Sequence, residues 1–387
     1  ASIRLGAMFP TLRDVTAWMD QTYHPSWADS WDTVGLVCGD PEQPVRKVLL
    51  AVDPAPAVVE EAVSWGADLL VVHHPLLLKP VSSVAATSPK GRAVHTLIGA
   101  GCALFTAHTN ADAPTAGVSE SLAIALGLRD LAPIVPDAGP GLDKLVTFVP
   151  HEHAEPLRQA ITAAGAGSIG DYDSCTFTTA GEGRFRPLDG ATPVIGQVGE
   201  VEVVAESRIE AVFPRERRRQ VIEAMRSAHP YEEPAYDVLE LADLPATGGS
   251  ARGDGRIGVL AEPTPLRAFA ERVERALPET AHGVRVAGDP GRMVHTVAVT
   301  GGAGDFLLDT VLGTAADVYV TSDLRHHRAA EFLEHAGPAL VDVAHWAAEW
   351  TWLPVLERRL AEGLDREGDT VDLRVSTICT DPWSFRV

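Results

Sequence analysis

The sequence predicts an α/β protein: two related βαβ-containing halves that form one α/β/α core domain, interrupted by an inserted ferredoxin-like α+β module. Three observations carry that prediction. Continuously apolar runs alternate with helical stretches between residues 47 and 112, the same order returns between 293 and 349, and the stretch between them changes to two strands per helix. Strands that are apolar without alternation, and separated by helices, belong to a parallel sheet covered on both faces.

In the first half, residues 47–53 form a β-rich run, 55–65 show helical spacing after a proline, and 68–72 are a second apolar run. A further strand at 103–105 leads into His108. In the second half, 293–300 read as a strand, Gly301-Gly302-Ala303-Gly304 as a turn, 305–313 as a helix, and 317–323 and 339–341 as strands. Residues 66–74 lie on 315–323 without a gap, which sets His74 on Asp323. The next strand of each half precedes His-x-x-x-acid, His108 with Asp112 and His345 with Glu349, one residue out of step. Polar groups thus gather at the carboxyl ends of strands, where open α/β sheets bind ligands.

The central stretch reads as strand 145–149, helix 155–164, β-rich segment 175–179, strand 207–213, charged helix 215–228 and strand 236–241. That order indicates a ferredoxin-like α+β module. Gly- and Pro-rich segments at 137–141 and 245–250 read as its hinges. The expected organisation is core first half 1–134, insert 135–245 and core second half 246–387.

Composition narrows the function. The chain has 387 residues and 45% hydrophobic content, enough for two or three cores. Its formal charge of -21 repels phosphate backbones, so nucleic acid is not an expected partner. Four scattered cysteines with no C-x-x-C pair suit a reducing compartment and small buried apolar roles. Residues 1–5 lack a secretory pattern, and no window of about 18 uncharged apolar residues suggests a membrane span. The expected location is cytoplasmic, away from membranes.

The chemistry-bearing residues fall into two clusters. One is Val71-Val72-His73-His74-Pro75 with His108-Thr109-Asn110-Ala111-Asp112; the other is Asp342-Val343-Ala344-His345-Trp346-Ala347-Ala348-Glu349. Imidazole nitrogens and carboxylate oxygens together suit a borderline divalent cation. Neighbouring side chains on a strand point opposite ways, so His73 and His74 either serve different ions or are brought together by a turn at Pro75. His345 and Glu349 share a helix face at i, i+4. Asn110 and Pro114 point to a loop around Asp112, the stronger ligand candidate there, with His108 either a ligand or a hydrogen-bonding support. Asp323, followed by Arg325, His326 and His327, reads equally as a proton-relaying or orienting cluster and as a capped helix start. The Gly301–Gly304 loop follows a strand, as phosphate cradles do, but lacks the G-x-x-x-x-G-K-[ST] pattern.

Together these segments resemble a known family. Ser30-Trp31-Asp32-Thr33-Val34-Gly35-Leu36, His73-His74-Pro75, His108 to Asp112, Thr321-Ser322-Asp323 to His327 and Asp342 to Glu349 are similar, in order, to signatures of the GTP cyclohydrolase I type 2 homologues, or Nif-three-like proteins. The resemblance implies a two-metal site with His73, His74, Asp112, His345 and Glu349 as ligands. It also implies assembly as homohexameric toroids and, for the long form, a central module of the PII or CutA type. His229-Pro230-Tyr231-Glu232-Glu233-Pro234 is similar to the usual sequence of that module. Thr33 stands where Asn is usual, Ser322 where Gly is usual, and Ala344-His345-Trp346 where Gly-His-Tyr is usual. None of these departures removes an implied ligand.

The expected function is therefore a di-metal hydrolase acting on a nucleotide or related small molecule, the nucleotide being what the family name implies. Two divalent ions, zinc, iron or manganese, would activate a water. Glu349 would bridge or assist, His327 or His108 would shuttle a proton, and Asp323 would orient the shuttle. The alternative is a metal-binding regulatory or chaperone-like protein with structural ions and a ligand-sensing insert.

Overall fold

The computed structural model describes residues 9–137, 141–170, 172–242, 251–364 and 371–387. They divide into two compact units, one within Ala1–Asp137 and Ala251–Val387, the other within Ala138–Ser250. The first unit opens with α1 (Leu12–Thr22), β1 (Gly35–Cys38), β2 (Lys47–Ala51), α2 (Pro56–Trp65), β3 (Leu69–Val72) and α3 (Pro89–Gly99). It continues with β4 (Ala103–Thr106), α4 (Thr109–Asp112), α5 (Val118–Ala125), β5 (Arg129–Ala132) and β6 (Val135–Pro136). The second unit holds β7 (Leu142–Pro150), α6 (Ala154–Ala163), β8 (Thr176–Phe185), β9 (Glu202–Pro214), α7 (Arg218–Ala228) and β10 (Tyr236–Glu240). The first unit resumes with β11 (Gly253–Asp254), β12 (Arg256–Pro265), α8 (Leu266–Ala276), β13 (Arg285–Ala287), β14 (Met293–Ala303) and α9 (Leu308–Leu312). It ends with β15 (Val318–Ser322), α10 (His326–Glu334), β16 (Ala339–Val343), α11 (His345–Trp350), α12 (Leu353–Leu364) and β17 (Asp372–Val375).

Local chemistry sets several of these boundaries. The Thr11 side chain caps the first turn of α1 while Asp14 bonds back to the Thr11 amide, which satisfies donors that a helix start leaves free. Pro56 opens α2 with its φ already helical, and Gly66 closes it at φ +74.

Two mixed sheets and a two-stranded β11-β6 ribbon make the first unit. One runs β1-β4-β3-β2-β17, the other β13-β16-β15-β14-β12-β5. Their cores, β4-β3-β2-β17 and β16-β15-β14, are parallel, and the flanking pairs are antiparallel. Alternate residues feed two apolar layers. Leu69 and Val71 pack with helices α1 and α12, whereas Leu70 and Val72 pack with α2 and α3. In the second sheet Val318 and Val320 pack with α5 and α8, and Tyr319 with α9 and Phe332 of α10. Coverage on both faces explains why these strands read as unbroken apolar runs.

The two sheets exchange strands. β17, at the far end of the sequence, pairs in parallel with β2, and β5 pairs with β12. Helix α12 likewise packs on the first sheet and α5 on the second. Each donated strand covers an edge that would otherwise stand open. Membership of a sheet therefore does not follow the order of the two halves along the chain.

Other elements differ from the sequence expectation. Gly301 to Ala303 remain in β14, whose ladder with β15 shifts register between Val299 and Ala303; the glycines make a bulge rather than a phosphate loop. The segment around Asp112 is one helical turn, and residues 305–313 are a 3-10 turn followed by the short α9. Residues 1–5, most of the first expected hinge and all of the second lie outside the described residues.

In the second unit, β7, α6, β8, β9, α7 and β10 form an antiparallel sheet of order β10-β7-β9-β8. Leu145, Ile209, Ala211 and Phe213 of the sheet pack with Leu157, Ile161, Val221 and Met225 of the two helices. Among the described residues, no helix is long and apolar enough to cross a membrane.

Candidate metal centre

The parallel strands of the first unit converge on one group of side chains through their carboxyl ends. Asp53 follows β2, His73 and His74 follow β3, and His108 follows β4; Gly302 sits at the end of β14, Asp323 after β15 and His345 after β16. Helix α11 then returns Glu349, buried to 3% exposure, to the same place.

Glu349 is the centre of the cluster. Its Oε1 lies 2.7 Å from His345 Nε2 and 3.4 Å from His73 Nε2, and its Oε2 lies 3.1 Å from His74 Nε2. Asp112 Oδ1 is 3.5 Å from His73 Nε2. The chain bends directly after Val72, so His73 and His74 do not alternate as strand residues would; their ring centroids are 5.1 Å apart. A bend thus resolves the geometric conflict posed by two adjacent histidines.

Every imidazole is held from behind. Nδ1 of His73 bonds the Ala107 carbonyl oxygen at 2.8 Å, that of His74 bonds Asp53 at 2.7 Å, that of His108 bonds Asp32 at 2.9 Å and that of His345 bonds Asp323 at 2.7 Å. The other nitrogen, Nε2, is left for an ion, the arrangement by which outer carboxylates and carbonyls fix the tautomer of ligating histidines. Ligand atoms of His73, His74 and His108 lie within 4.8 Å of one another, as do those of His74, His345 and Glu349. The first group brings His108 into the site.

Electrostatics describe the same crowding. Burial opposes charge on His74, yet Glu349 and Asp53 push its pKa up to about 11. His345 is likewise raised to about 10, burial being outweighed by Glu349 and Asp323. Burial would raise Glu349, but the neighbouring His74, His345 and His73 hold its carboxyl well below the usual range. Burial, with the Glu349 charge beside it, raises Asp112 to about 7. Two carboxylate oxygens, Asp112 Oδ1 and Glu349 Oε2, are buried without a hydrogen-bond partner; the approach of His74 to the latter lacks hydrogen-bond alignment. Buried anionic oxygens without donors fit a cation. The donor set of imidazoles and carboxylates therefore suits a divalent metal.

Three supporting groups were not assigned to the metal site in the sequence reading. Asp53 orients His74, and its signal was the one recognised for Asp323, an acid at the end of a strand. Asp32 accepts from His108 Nδ1 and from both the amide and hydroxyl of Thr109, which anchors α4. Gly302, at φ +70, is closest of all: a Cβ there would lie 2.6 Å from Glu349 Oε1 and 3.2 Å from His345 Nε2. Asp342 points away from the cluster, accepting from the Leu324 amide and from His282 and Arg285. It thereby holds the turn at Asp323, whose φ is +58. Asp323 stands behind His345 rather than facing the centre. His327 is exposed in the first turn of α10 and packs on His326, and its side chain makes no hydrogen bond or ion pair among the described residues. Trp346, one of the departures from the family pattern, is buried in the core of the first sheet.

The model of the Duf34/NIF3 (NGG1p interacting factor 3) family matches residues 10–382. The chain belongs to this family. A Mycobacterium tuberculosis relative named "GTP cyclohydrolase 1 type 2 homolog" is 52% identical over 375 residues, 97% of each chain. A Bacillus subtilis relative of the same name is 37% identical over 360 residues, 93% of this chain and 94% of that one. Among solved structures, a Bacillus cereus protein related to NIF3 superposes with a TM-score of 0.68 at 36% identity, covering 98% of this chain and 100% of its own. A Staphylococcus aureus protein reaches a TM-score of 0.78 at 27% identity with the same coverage. The resemblance drawn from the sequence motifs is thus established for nearly the whole chain.

Proposed function

We propose that this protein is a dinuclear metal-dependent hydrolase of a nucleotide or related small molecule. The observation that carries the reading is the set of four imidazoles with Nδ1 fixed from behind, three of which turn Nε2 toward Glu349, beside two carboxylates that each bury one oxygen without a hydrogen-bond partner. His73, His74, Asp112, His345 and Glu349 would hold the ions, and His108 joins them through its place beside His73 and His74. When bound, two divalent cations supply Lewis acidity and lower the pKa of a water toward neutrality.

The chain's own groups divide the remaining work. Glu349 faces three histidines and would help to hold the ions or assist at the site. Asp53 and Asp323 fix His74 and His345 in the tautomer that presents Nε2. Of the two imidazoles expected to move a proton, His108 is placed with the ligands instead, its Nδ1 on Asp32, whereas His327 is exposed on α10 and packs on His326. The name of the mycobacterial relative points to a purine nucleotide as the first substrate to try.

The central module is read as ferredoxin-like, on the support of its βαββαβ order and its β10-β7-β9-β8 sheet. Assembly as a homohexamer belongs to the same family reading. The test of the hydrolase is a screen of nucleotides and phosphoesters on zinc-, iron- and manganese-loaded protein, with Glu349→Gln beside it. Turnover by the wild type that falls at least about a hundredfold in the variant supports the proposal. A variant with unchanged metal content and unchanged turnover removes Glu349 from the chemistry.

A further inference from the structure

The second unit contains a cavity of about 550 Å³, within the size range of small-molecule sites. Five segments wall it: Phe148 of β7, β8, β9, residues 231–235, and residues 186–201, which run without helix or strand. So long an irregular segment is uncommon unless it is functional or disordered. This one is closed on itself by the Gly199 amide on the Pro187 carbonyl at 2.8 Å. It is also tied down by the Thr192 amide on Glu232 at 3.1 Å.

The cavity lies on the sheet face away from the helices, because Glu206 and Arg208 alternate with the core residues Ile209 and Ala211. Its floor holds Glu206, which is 7% exposed. The Tyr231 hydroxyl donates to Glu206 Oε1 at 2.9 Å, and Gly183 leaves the space that the rest of the carboxylate fills. No Lys, Arg or His pairs with Glu206 among the described residues. The nearby Arg208 is engaged by Glu210 at 2.9 Å and lies over the Phe148 ring, and Arg184 is engaged by Glu182. A buried carboxylate without a cationic partner is costly.

We propose that this cavity binds a small organic cation, an amine or quaternary ammonium with an apolar body, its charge on Glu206 and its body against Tyr231, Phe148 and Phe185. Aromatic faces beside a carboxylate are what such cations select. The Phe185 and Tyr231 rings stand 5.6 Å apart at 59°, and Phe148 lines the opposite strand. A metal ion is disfavoured, because the one imidazole beside the site, His229, uses both nitrogens, on the Phe148 carbonyl and the Tyr231 amide. An anion is disfavoured by charge: Glu206, Glu232 and Glu233 face the space with Arg186 as the one guanidinium not engaged by a carboxylate among the described residues.

Calorimetry on the full chain tests this without reference to the metal centre. The probes are benzyltrimethylammonium and phenethylammonium, with phenylacetate as the anionic control. Both cations should bind once per chain and phenylacetate should not. Glu206→Gln should weaken the cations by about tenfold or more. Val194→Arg, at an exposed lip position, should also weaken them while leaving the thermal melt unchanged. Equal binding of phenylacetate, retention of affinity in Glu206→Gln, or no heat from either cation at millimolar concentration overturns the proposal. Sedimentation supplies the remaining outcome. If the wild type self-associates, Val194→Arg dissociates it, and neither cation binds the associated form, a second copy of the chain covers this face and the proposal fails.

Discussion

Glu349 can reach three imidazoles only because residue 302 has no side chain. At φ +70, and with a Cβ position 2.6 Å from Glu349 Oε1, Gly302→Ala meets both backbone strain and a direct clash. The expected outcome is a folded protein with metal affinity reduced about tenfold or more, read by competition with a chromogenic chelator. Asp53→Ala should act more gently, removing the group that holds His74 Nδ1 and weakening binding about 10- to 100-fold with an unchanged melt. Unaltered affinity in both variants would show that the supports behind the ligands are unimportant. At this scale the sequence was readily legible where chemistry is concentrated in rare residue pairs: His73 with His74, and His345 with Glu349. It was less legible for Asp53, Asp32 and Gly302, since a lone acid or glycine at a strand end carries no local signal of what faces it. That depends on contacts between separate segments of the chain, 21 residues apart for Asp53 with His74 and 76 for Asp32 with His108.

At the scale of elements, buried pairing explains individual stabilities. Asp143 on β7 is fully buried and receives Arg218 Nε at 2.6 Å and Arg215 Nε at 3.1 Å from the start of α7. The Arg218 hydrogen bond, outweighing burial and joined by Arg215, holds its carboxyl below the usual carboxylate range. A depressed folded pKa contributes stability that is present above the unfolded value, near pH 4, and is lost as pH falls through the folded value. Urea melts should therefore show Asp143→Asn less stable than wild type at pH 7, with the gap closing below about pH 4. A gap that persists undiminished at pH 2.5 would assign the loss to packing instead. In the first unit, Arg256 is 1% exposed and donates to the carbonyls of Ala113, Pro114, Gly253 and Gly255 and to Glu120. It fixes the turn that follows Asp112. Arg256→Met leaves those carbonyls without donors and should cost about 3–5 kcal/mol in chemical denaturation, as loss of one partner in a buried polar network does. These elements also mark where periodicity failed as a guide. β8 is mostly exposed and carries Thr, Gly and charged residues, and the first part of β9 is only half-buried, so 175–179 and 207–213 alone stood out as β segments.

At the scale of the molecule, the exchange of β5 and β17 joins two βαβ halves into one core. The parallel strands and their covering helices were legible because burial on both faces leaves continuous apolar runs. The exchanged strands were not, because each spans four residues with mixed exposure, RDLA and DLRV. Pairing of β17 with β2 is also a contact between residues more than 300 positions apart, which no window of sequence reports. Deleting residues 371–387 should uncover the β2 edge and lower the thermal midpoint by at least about 5 °C, checked by circular dichroism. An unchanged midpoint would make β17 an accessory.

The same architecture brings six strand ends to one place, and the central claim is that they build a two-ion centre. Metal analysis by mass spectrometry on purified protein reloaded with zinc, iron or manganese, beside His74→Ala, tests it most directly. The account predicts about two ions per chain in the wild type and a sharp fall in the variant. A wild type that retains none of these metals, or a His74→Ala protein that retains them in full, would contradict it.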